Sequence, residues 1–156
     1  MEFGARALGN RSILASPCSK NMKNILNIKI KKRENFRPFA PAIIYEKKKF
    51  WFQSNIKNPY MSSVENILIN KRELIPAVTH IDGTGRVQSV HEKTNPRFYK
   101  LIELFEKITN VPILLNTSFN ENEPIVMTPK HAINCFVRTK MDCLALDKFL
   151  ISRNCN

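Results

Sequence analysis

Two stretches in the second half of the chain combine helix start signals with apolar residues at helical spacing. Asn95 is a good N-cap and Pro96 suits the first helical position. The apolar stripe that follows consists of Phe98, Leu101, Ile102, Phe105 and Ile108. Thr128 and Pro129 repeat the start signal, and the buried face predicted after them consists of Ala132, Ile133, Phe136 and Val137. The pattern thus predicts one helix from Pro96 to near Asn110 and another from Pro129.

A third helix and several strands are predicted in the remaining chain. Residues 19–30 place apolar side chains, Met22, Ile25 and Leu26, on one helical face and lysines on the other. Short apolar runs predict strands at residues 42–45, within 59–70, and at 111–115, 143–146 and 149–151. Residues 1–16 are predicted to be irregular, and residues 46–58 to be an insertion rich in lysine and aromatic residues.

An Asp82-Gly83 turn separates two β-rich runs, residues 75–81 and 86–90, which predicts a β-hairpin. Helices alternate with strands elsewhere along the chain. The combination predicts a single α+β domain over residues 1–156, with a mixed sheet flanked by helices.

Composition narrows the class of protein. The chain is 43% hydrophobic, enough for a packed core, and has no apolar run of about 18 residues that would span a membrane. The first residues, Met1 to Arg6, lack the charged-then-apolar layout of a secretory signal. We therefore expect a cytoplasmic protein without a membrane association.

The net charge of +12 favours anionic partners: nucleotides, phosphorylated metabolites, nucleic acid or an acidic protein. The alternative is that the lysines form solvated faces. The four cysteines have no C-x-x-C spacing and form no ligand cluster with the three histidines. Reduced and mostly buried thiols are therefore expected, and no metal site.

A polar turn follows the strand predicted at residues 111–115. It contains Asn116, Thr117, Ser118 and Asn120, which offer hydrogen-bond donors and acceptors without charge. Ligands of open α/β sheets favour the carboxyl ends of strands. The alternative interpretation is an Asx- or Ser/Thr-turn that only closes the strand.

Basic residues crowd the first forty positions. Arg6 and Arg11, next to Ser12, lie in glycine-containing chain where backbone N–H groups and guanidinium groups could approach a phosphate together. Arg37 lies between Phe36 and Pro38, an apolar setting that does not suit a merely solvated charge. The alternative for each arginine is a surface salt bridge. The residues alone thus predict an α+β domain that binds a phosphorylated ligand.

Several long motifs resemble those of the O-carbamoyltransferases, a family that includes nodulation-factor and antibiotic carbamoyltransferases. Residues 2–12 resemble "EFGPRALGNRS", and residues 31–41 resemble "KxREx(F)RPFAP". Residues 79–88 resemble "THVDGTARVQ", residues 95–99 match "NPRFY", and residues 115–120 match "LNTSFN". The motifs keep their order and spacing over nearly the whole chain.

The resemblance implies the fold and the partners. Family members are several times longer, and this chain looks like their C-terminal domain, which is similar to YrdC/Sua5 proteins and has a twisted mixed sheet. That domain uses ATP, with Mg²⁺, and carbamoyl phosphate to form carbamoyl-adenylate. A Kae1-like N-terminal domain, absent here, holds the metal and transfers the carbamoyl group to an acceptor hydroxyl.

The resemblance also implies the site. Asn116, Thr117, Ser118 and Asn120 would line it, and Arg6, Arg11, Ser12, Lys31 and Arg37 would hold the phosphates, with Arg86 and Arg138 as further candidates. The residues expected to take part in catalysis are Arg6, Arg37, Asn116 and Ser118. No covalent nucleophile is expected.

Two other functions fit the basic charge. The first is binding of RNA or nucleotide without turnover, for which steep salt dependence would be the sign. The second is a domain that acts only when docked on a separate Kae1-like chain, for which an exposed apolar patch near Trp51 would be the sign.

Overall fold

The computed structural model describes residues 7–153 and arranges them around a four-stranded mixed sheet. In chain order the strands are β1 (Ser12–Ala15), β2 (Ala40–Ile44), β3 (Glu65–Asn66), β4 (Thr84–Gly85), β5 (Gln88–Val90), β6 (Ile113–Ser118), β7 (Cys143–Leu146) and β8 (Phe149–Ser152). The helices are α1 (Met22–Ile25), which continues as a π-helical segment (Leu26–Lys31), α2 (Pro96–Thr109) and α3 (Pro129–Arg138). Two 3₁₀ segments, Tyr45–Phe50 and Ile69–Leu74, complete the list.

The sheet has the order β1-β6-β2-β5, which puts β6 between two neighbours. Strand β6 is antiparallel to both β1 and β2, whereas β2 and β5 are parallel. In this register Asn116 lies between Leu14 of β1 and Ala40 of β2. The predicted α+β fold with a mixed sheet and flanking helices is therefore confirmed, while a YrdC-like arrangement stays a prediction.

The two faces of the sheet pack against different elements, because successive strand residues point to opposite faces. Ile44 and Leu114 pack with Phe98 and Ile102 of α2 on one face. Ile43, Ile113 and Leu115 belong to a larger cluster on the other face, together with Leu26, Ile30, Ala132 and Phe136. The sheet is thus covered on both sides, and in β6 the polar side chains follow the apolar ones at the carboxyl end of the strand.

The hairpin predicted at residues 75–90 is wrong. Residues 75–78 form a bend and a turn whose apolar side chains, Ile75, Ala77 and Val78, are buried in the core. Strand β4 pairs with β3, and β5 pairs with β2. The Asp82-Gly83 turn exists locally, with Asp82 Oδ1 accepting a hydrogen bond from Thr84 N at 3.0 Å. The runs on either side of it find distant partners instead of each other.

Several local features differ from those predicted. Strand β1 lies in a segment predicted to be irregular, and the predicted helix at residues 19–30 has only four α-helical residues before the π-helical segment. Some side chains expected on buried faces are exposed: Ile25, Leu101, Ile108, Ile133 and Val137. Each helix contacts the core along a narrower stripe than its apolar pattern suggests.

Burial bears on two further points of the sequence analysis. Trp51 is only 5% exposed and Phe52 only 1%, so these two side chains belong to the core, whereas the neighbouring Phe50 is exposed. Among the described cysteines, Cys135 is buried but Cys18 and Cys143 are exposed, so mostly buried thiols are not observed. No helix within residues 7–153 is both long and apolar enough to cross a membrane.

Candidate functional site

A cavity of about 160 Å³ opens where β6 ends. The last three residues of β6, Asn116, Thr117 and Ser118, form part of its wall. Arg33 and Arg86 also line it, beside Phe39. Two cationic side chains and a row of uncharged polar groups therefore meet in one small space, which favours an anionic ligand.

Asn116 presents an amide to this cavity from the centre of the sheet and is only 1% exposed. Its Nδ2 donates to Ala7 O at 3.1 Å and to Gln88 Oε1 at 2.8 Å. Gln88 in turn donates to Leu8 O at 2.9 Å, which fixes the orientation of both amides. The Oδ1 atom of Asn116 is buried and accepts no hydrogen bond from residues 7–153. A buried acceptor without a donor is costly, so this oxygen suits a ligand that brings an N–H or O–H group.

Arg33 is held over the cavity wall by two contacts. Its Nε donates to Asn27 Oδ1 at 2.8 Å, and its guanidinium lies 4.8 Å from the centroid of the Phe39 ring. Burial lowers the pKa of Arg33 below its ordinary value, and the positive charges of Arg37 and Arg86 lower it further. An arginine stays protonated through such shifts, so the result is a partly desolvated positive charge that an anion would stabilise.

Arg33 was not among the predicted site residues, although the basic segment that contains it was recognised. The available signal was its position two residues after Lys31, in the same stretch as Arg37. Arg86 was predicted only as a further candidate, and the structure places it in the cavity wall.

Lys31 braces the polar turn and is itself buried. Its Nζ lies within hydrogen-bond distance of four oxygen atoms: Ser118 O at 2.5 Å, Ser118 Oγ at 3.2 Å, Asn120 O at 2.8 Å and Asn120 Oδ1 at 2.7 Å. Burial lowers the pKa of Lys31 to about 8, with a smaller contribution from the charge of Arg33. Lys31 thus positions Ser118, whose hydroxyl also donates to Asn120 Oδ1 at 2.7 Å.

The turn that follows β6 is closed by local hydrogen bonds. This agrees with the alternative interpretation of the segment as an Asx- or Ser/Thr-turn. Asn120 N donates to Ser118 O at 3.0 Å, and Asn120 Nδ2 donates to Glu123 O at 2.6 Å. Thr117 and Ser118 nevertheless line the cavity, whereas Asn120 does not. The segment therefore combines a structural turn with a polar cavity wall.

Several candidates in the described chain lie outside the cavity wall. Arg11 donates from Nη1 to Val126 O at 3.2 Å, and Ser12 Oγ accepts from Gly9 N at 2.9 Å. Arg138 lies 2.6 Å from Glu123 Oε1 through its Nη2 atom. These three side chains hold neighbouring segments together. Arg6 lies outside the described residues.

The environment expected for Arg37 is wrong. Its side chain is 53% exposed, and its Nε lies 3.0 Å from Glu34 Oε2, so it is a solvated charge in a surface ion pair. The adjacent Phe36 is itself exposed and supplies no apolar enclosure. Pro38 and Phe39, which follow directly, line the cavity. Arg37 is therefore close to the site along the chain without forming part of its wall.

The described residues offer no group of three His, Cys, Asp or Glu side chains that could hold a metal ion. The polar groups of the cavity wall are two guanidinium groups, two hydroxyls and a buried amide oxygen. Guanidinium groups suit phosphate oxygens, and a buried amide oxygen suits a ligand that carries an N–H or O–H group.

Comparison with known proteins identifies a family. The family model described as "Carbamoyltransferase C-terminus" matches residues 1–153. Nodulation protein NolO of Bradyrhizobium diazoefficiens is 45% identical, over 97% of this chain and 28% of its own length. Nodulation protein NolNO of Sinorhizobium fredii is 46% identical, over 97% of this chain and 23% of its own length. An uncharacterized protein of Synechocystis sp. is 42% identical, over 98% of this chain and 28% of its own length. This chain thus spans less than a third of each of these relatives.

Proposed function

Because this chain belongs to the carbamoyltransferase C-terminal family, we propose that its cavity binds ATP and carbamoyl phosphate and forms carbamoyl-adenylate. The observation that carries the proposal is the buried Oδ1 atom of Asn116, without a hydrogen-bond donor in the described chain, in a cavity lined by Arg33 and Arg86. Carbamoyl phosphate matches this combination, because it carries N–H donors at one end and a phosphate at the other.

The two kinds of wall group would orient the ligand. Phosphate oxygens are acceptors and would be repelled by Asn116 Oδ1, whereas the carbamoyl amino group would donate to it. The phosphate would then lie beside the guanidinium groups of Arg33 and Arg86, with Thr117 and Ser118 as further hydrogen-bond partners. Arg33 supports this assignment, because no residue within 7–153 accepts a hydrogen bond from its Nη atoms.

The proposed reaction consumes one molecule of water in its first step. Hydrolysis of carbamoyl phosphate yields carbamate and phosphate. A carbamate oxygen then attacks the α-phosphorus of ATP, the bond to the β-phosphate breaks, and carbamoyl-adenylate and pyrophosphate are formed. Positive charge near the cavity would screen the repulsion between these anions, and Mg²⁺ bound to the nucleotide would share that task.

The other residues predicted for the site would either add phosphate contacts or hold the site together. Arg37 and Arg6 would add phosphate contacts; Arg37 is exposed and is free to exchange Glu34 for a phosphate group at little cost. Lys31, with Asn120, would hold Ser118 in place. Arg11, Ser12 and Arg138 would fix the segments around the site.

Transfer to an acceptor hydroxyl would belong to a Kae1-like domain, in the same polypeptide or in a partner. The lengths of the relatives support this part, since this chain covers 28% of NolO and 23% of NolNO. The chain described here would then supply the activated carbamoyl group.

Phosphorus NMR of the purified chain with Mg-ATP and carbamoyl phosphate tests the proposal. We expect adenylate, pyrophosphate and phosphate to appear only when both substrates are present. Calorimetric titration of each substrate alone is the companion measurement. Absence of binding for both would contradict the proposal, and binding without turnover would reduce it to a ligand-binding domain. RNA binding with steep salt dependence, not displaced by ATP, would favour the nucleic-acid alternative.

A further inference from the structure

Asn27, in the π-helical segment, forms side-chain hydrogen bonds with three residues of the basic segment beside the cavity. Asn27 is fully buried at 0% exposure. Its Oδ1 accepts from Arg33 Nε at 2.8 Å, and its Nδ2 donates to Arg37 O at 3.1 Å and to Asn35 O at 3.3 Å. The oxygen and the nitrogen of this side-chain amide thus both form hydrogen bonds with residues six to ten positions further along the chain.

The backbone of the same residue ends the helix at that place. Asn27 O accepts from Lys32 N, which caps the π-helical segment, and from Arg33 N at 3.0 Å. Lys32 has a left-handed φ of 44°, so the chain reverses direction directly before Arg33. The reversal brings residues 33–37 back over Asn27.

This arrangement decides where the Arg33 guanidinium lies. A hydrogen bond at Nε and the ring of Phe39 under the guanidinium remove most of the freedom of a long side chain. The Nη groups are the part left for a ligand, since no acceptor in the described chain takes a hydrogen bond from them. Pre-positioning of this kind lowers the entropy that a ligand must remove on binding.

We infer that Asn27 is a positioning residue that aims the Arg33 guanidinium into the cavity. The inference rests on the proposed function for its ligand. Asparagine is suited to the position because it supplies an acceptor to the guanidinium and donors to two carbonyl groups. Leucine has a similar shape but neither group, and aspartate would place a second acceptor against the two carbonyl groups.

A double-mutant cycle on ATP affinity tests the inference. We expect Asn27→Ala to weaken ATP binding about tenfold in the chain with Arg33, the effect of losing a hydrogen bond to a charged group. In the Arg33→Ala background the same change should weaken binding less than about twofold, because Asn27 then has no guanidinium to aim. Equal losses in both backgrounds would show a merely structural role and overturn the inference.

Two further measurements support the cycle. Ile30→Val removes one buried methyl group from the same π-helical segment without touching residues 33–37, and we expect its ATP affinity to stay within about twofold of the original. The hydrogen exchange of the Arg33 Nε–H group, followed by nitrogen-15 NMR, needs neither a variant nor a ligand. Protection of this group is expected.

Rapid exchange of the Arg33 Nε–H group in the unmodified chain would overturn the inference even if the alanine variant does not fold. If the unmodified chain binds neither ATP nor carbamoyl phosphate, the proposed function fails. The exchange measurement then still decides whether Asn27 holds Arg33.

Discussion

At the scale of single residues, the site is defined by hydrogen-bonding capacity that the protein leaves unused. Asn116 is the clearest case, because its amide donors are satisfied by Ala7 and Gln88 while its buried Oδ1 has no donor within residues 7–153. Arg33 is comparable, since its Nε is bonded and its Nη groups have no described acceptor. Unused capacity of this kind costs stability, and it is typical of binding sites.

Asn116→Ala is expected to weaken carbamoyl phosphate binding by about tenfold or more, because the proposed acceptor for the carbamoyl N–H is lost. Calorimetry with carbamoyl phosphate measures the change. Inorganic phosphate is the control ligand, because it has no amide donor and its affinity should change little. Equal carbamoyl phosphate affinity in the unmodified chain and in Asn116→Ala would show that residues 116–120 have only a structural role.

Arg37→Ala is expected to abolish turnover without unfolding the domain. Its ion pair with Glu34 is largely exposed, so its loss should change the free energy of unfolding by less than about 1 kcal/mol. Activity is followed by phosphorus NMR, and stability by urea denaturation. Arg97→Ala, at another exposed ion pair, is the matched control. Unchanged turnover in Arg37→Ala would show that Arg37 does not belong to the site.

The lowered pKa of Lys31 makes a prediction about stability. The folded-state pKa is about 8, whereas the ordinary value is 10.5, so between these pH values the unfolded chain binds more protons than the folded chain. The free energy of unfolding due to Lys31 should therefore rise as the pH increases from about 8 to 10.5.

The measurement for Lys31 is the difference in unfolding free energy between the unmodified chain and Lys31→Met, followed by urea denaturation across this pH range. Groups that titrate alike in both chains cancel in the difference. A difference that stays constant with pH would show that the four oxygen atoms around Nζ keep the pKa near its ordinary value.

At the scale of elements, the parts predicted best are those whose signals are local. Helices α2 and α3 begin where an N-cap residue followed by proline predicts them, at Asn95-Pro96 and Thr128-Pro129. Helix α2 ends at Asn110 in the left-handed conformation, as the predicted stop near that residue implied. Strand β6 begins two residues later than the run predicted at 111–115 and extends through Ser118 into the polar residues after it.

Gly9 marks a contact between the segment before β1 and helix α2. Its φ is 112°, and an added Cβ would lie 2.3 Å from the Phe98 ring. Gly9→Ala should therefore lower the free energy of unfolding by about 2 kcal/mol, through backbone strain and overpacking. Urea denaturation measures the loss. Gly85→Ala is the control, since its φ is not in the left-handed region and its nearest contact is 3.2 Å, and it should cost less.

The failed hairpin shows the limit of local signals. The sequence around Asp82 has a turn, and the flanking runs have β-forming residues, but strand pairing depends on which edges are available elsewhere in the molecule. Strand β2 offers a parallel edge to β5, and β3 offers an antiparallel edge to β4. The apolar residues before the turn, such as Ile75 and Val78, gain more by burial in the core.

At the scale of the whole molecule, the chain combines a net charge of +12 with a small cavity that is lined by two arginines. Raising the salt concentration from about 50 mM to about 500 mM should weaken ATP binding, because screening reduces the attraction of distant lysines and arginines. Fluorescence or calorimetric titration measures the change. Adenosine, which lacks the phosphates, is the control ligand. An ATP affinity independent of salt would show that only close contacts in the cavity matter.

The sequence by itself determined helices α2 and α3, the fold class and the family, because caps, apolar periodicity and long motifs depend on neighbouring residues alone. It also placed the polar residues Asn116 and Ser118 at the end of a buried strand. The tertiary structure decided which cations meet there: Arg33 and Arg86 line the cavity, Lys31 braces the turn, and Arg37 faces solvent. The reason is physical, since a long side chain reaches a site only when distant segments, here Asn27 and Phe39, restrict its direction.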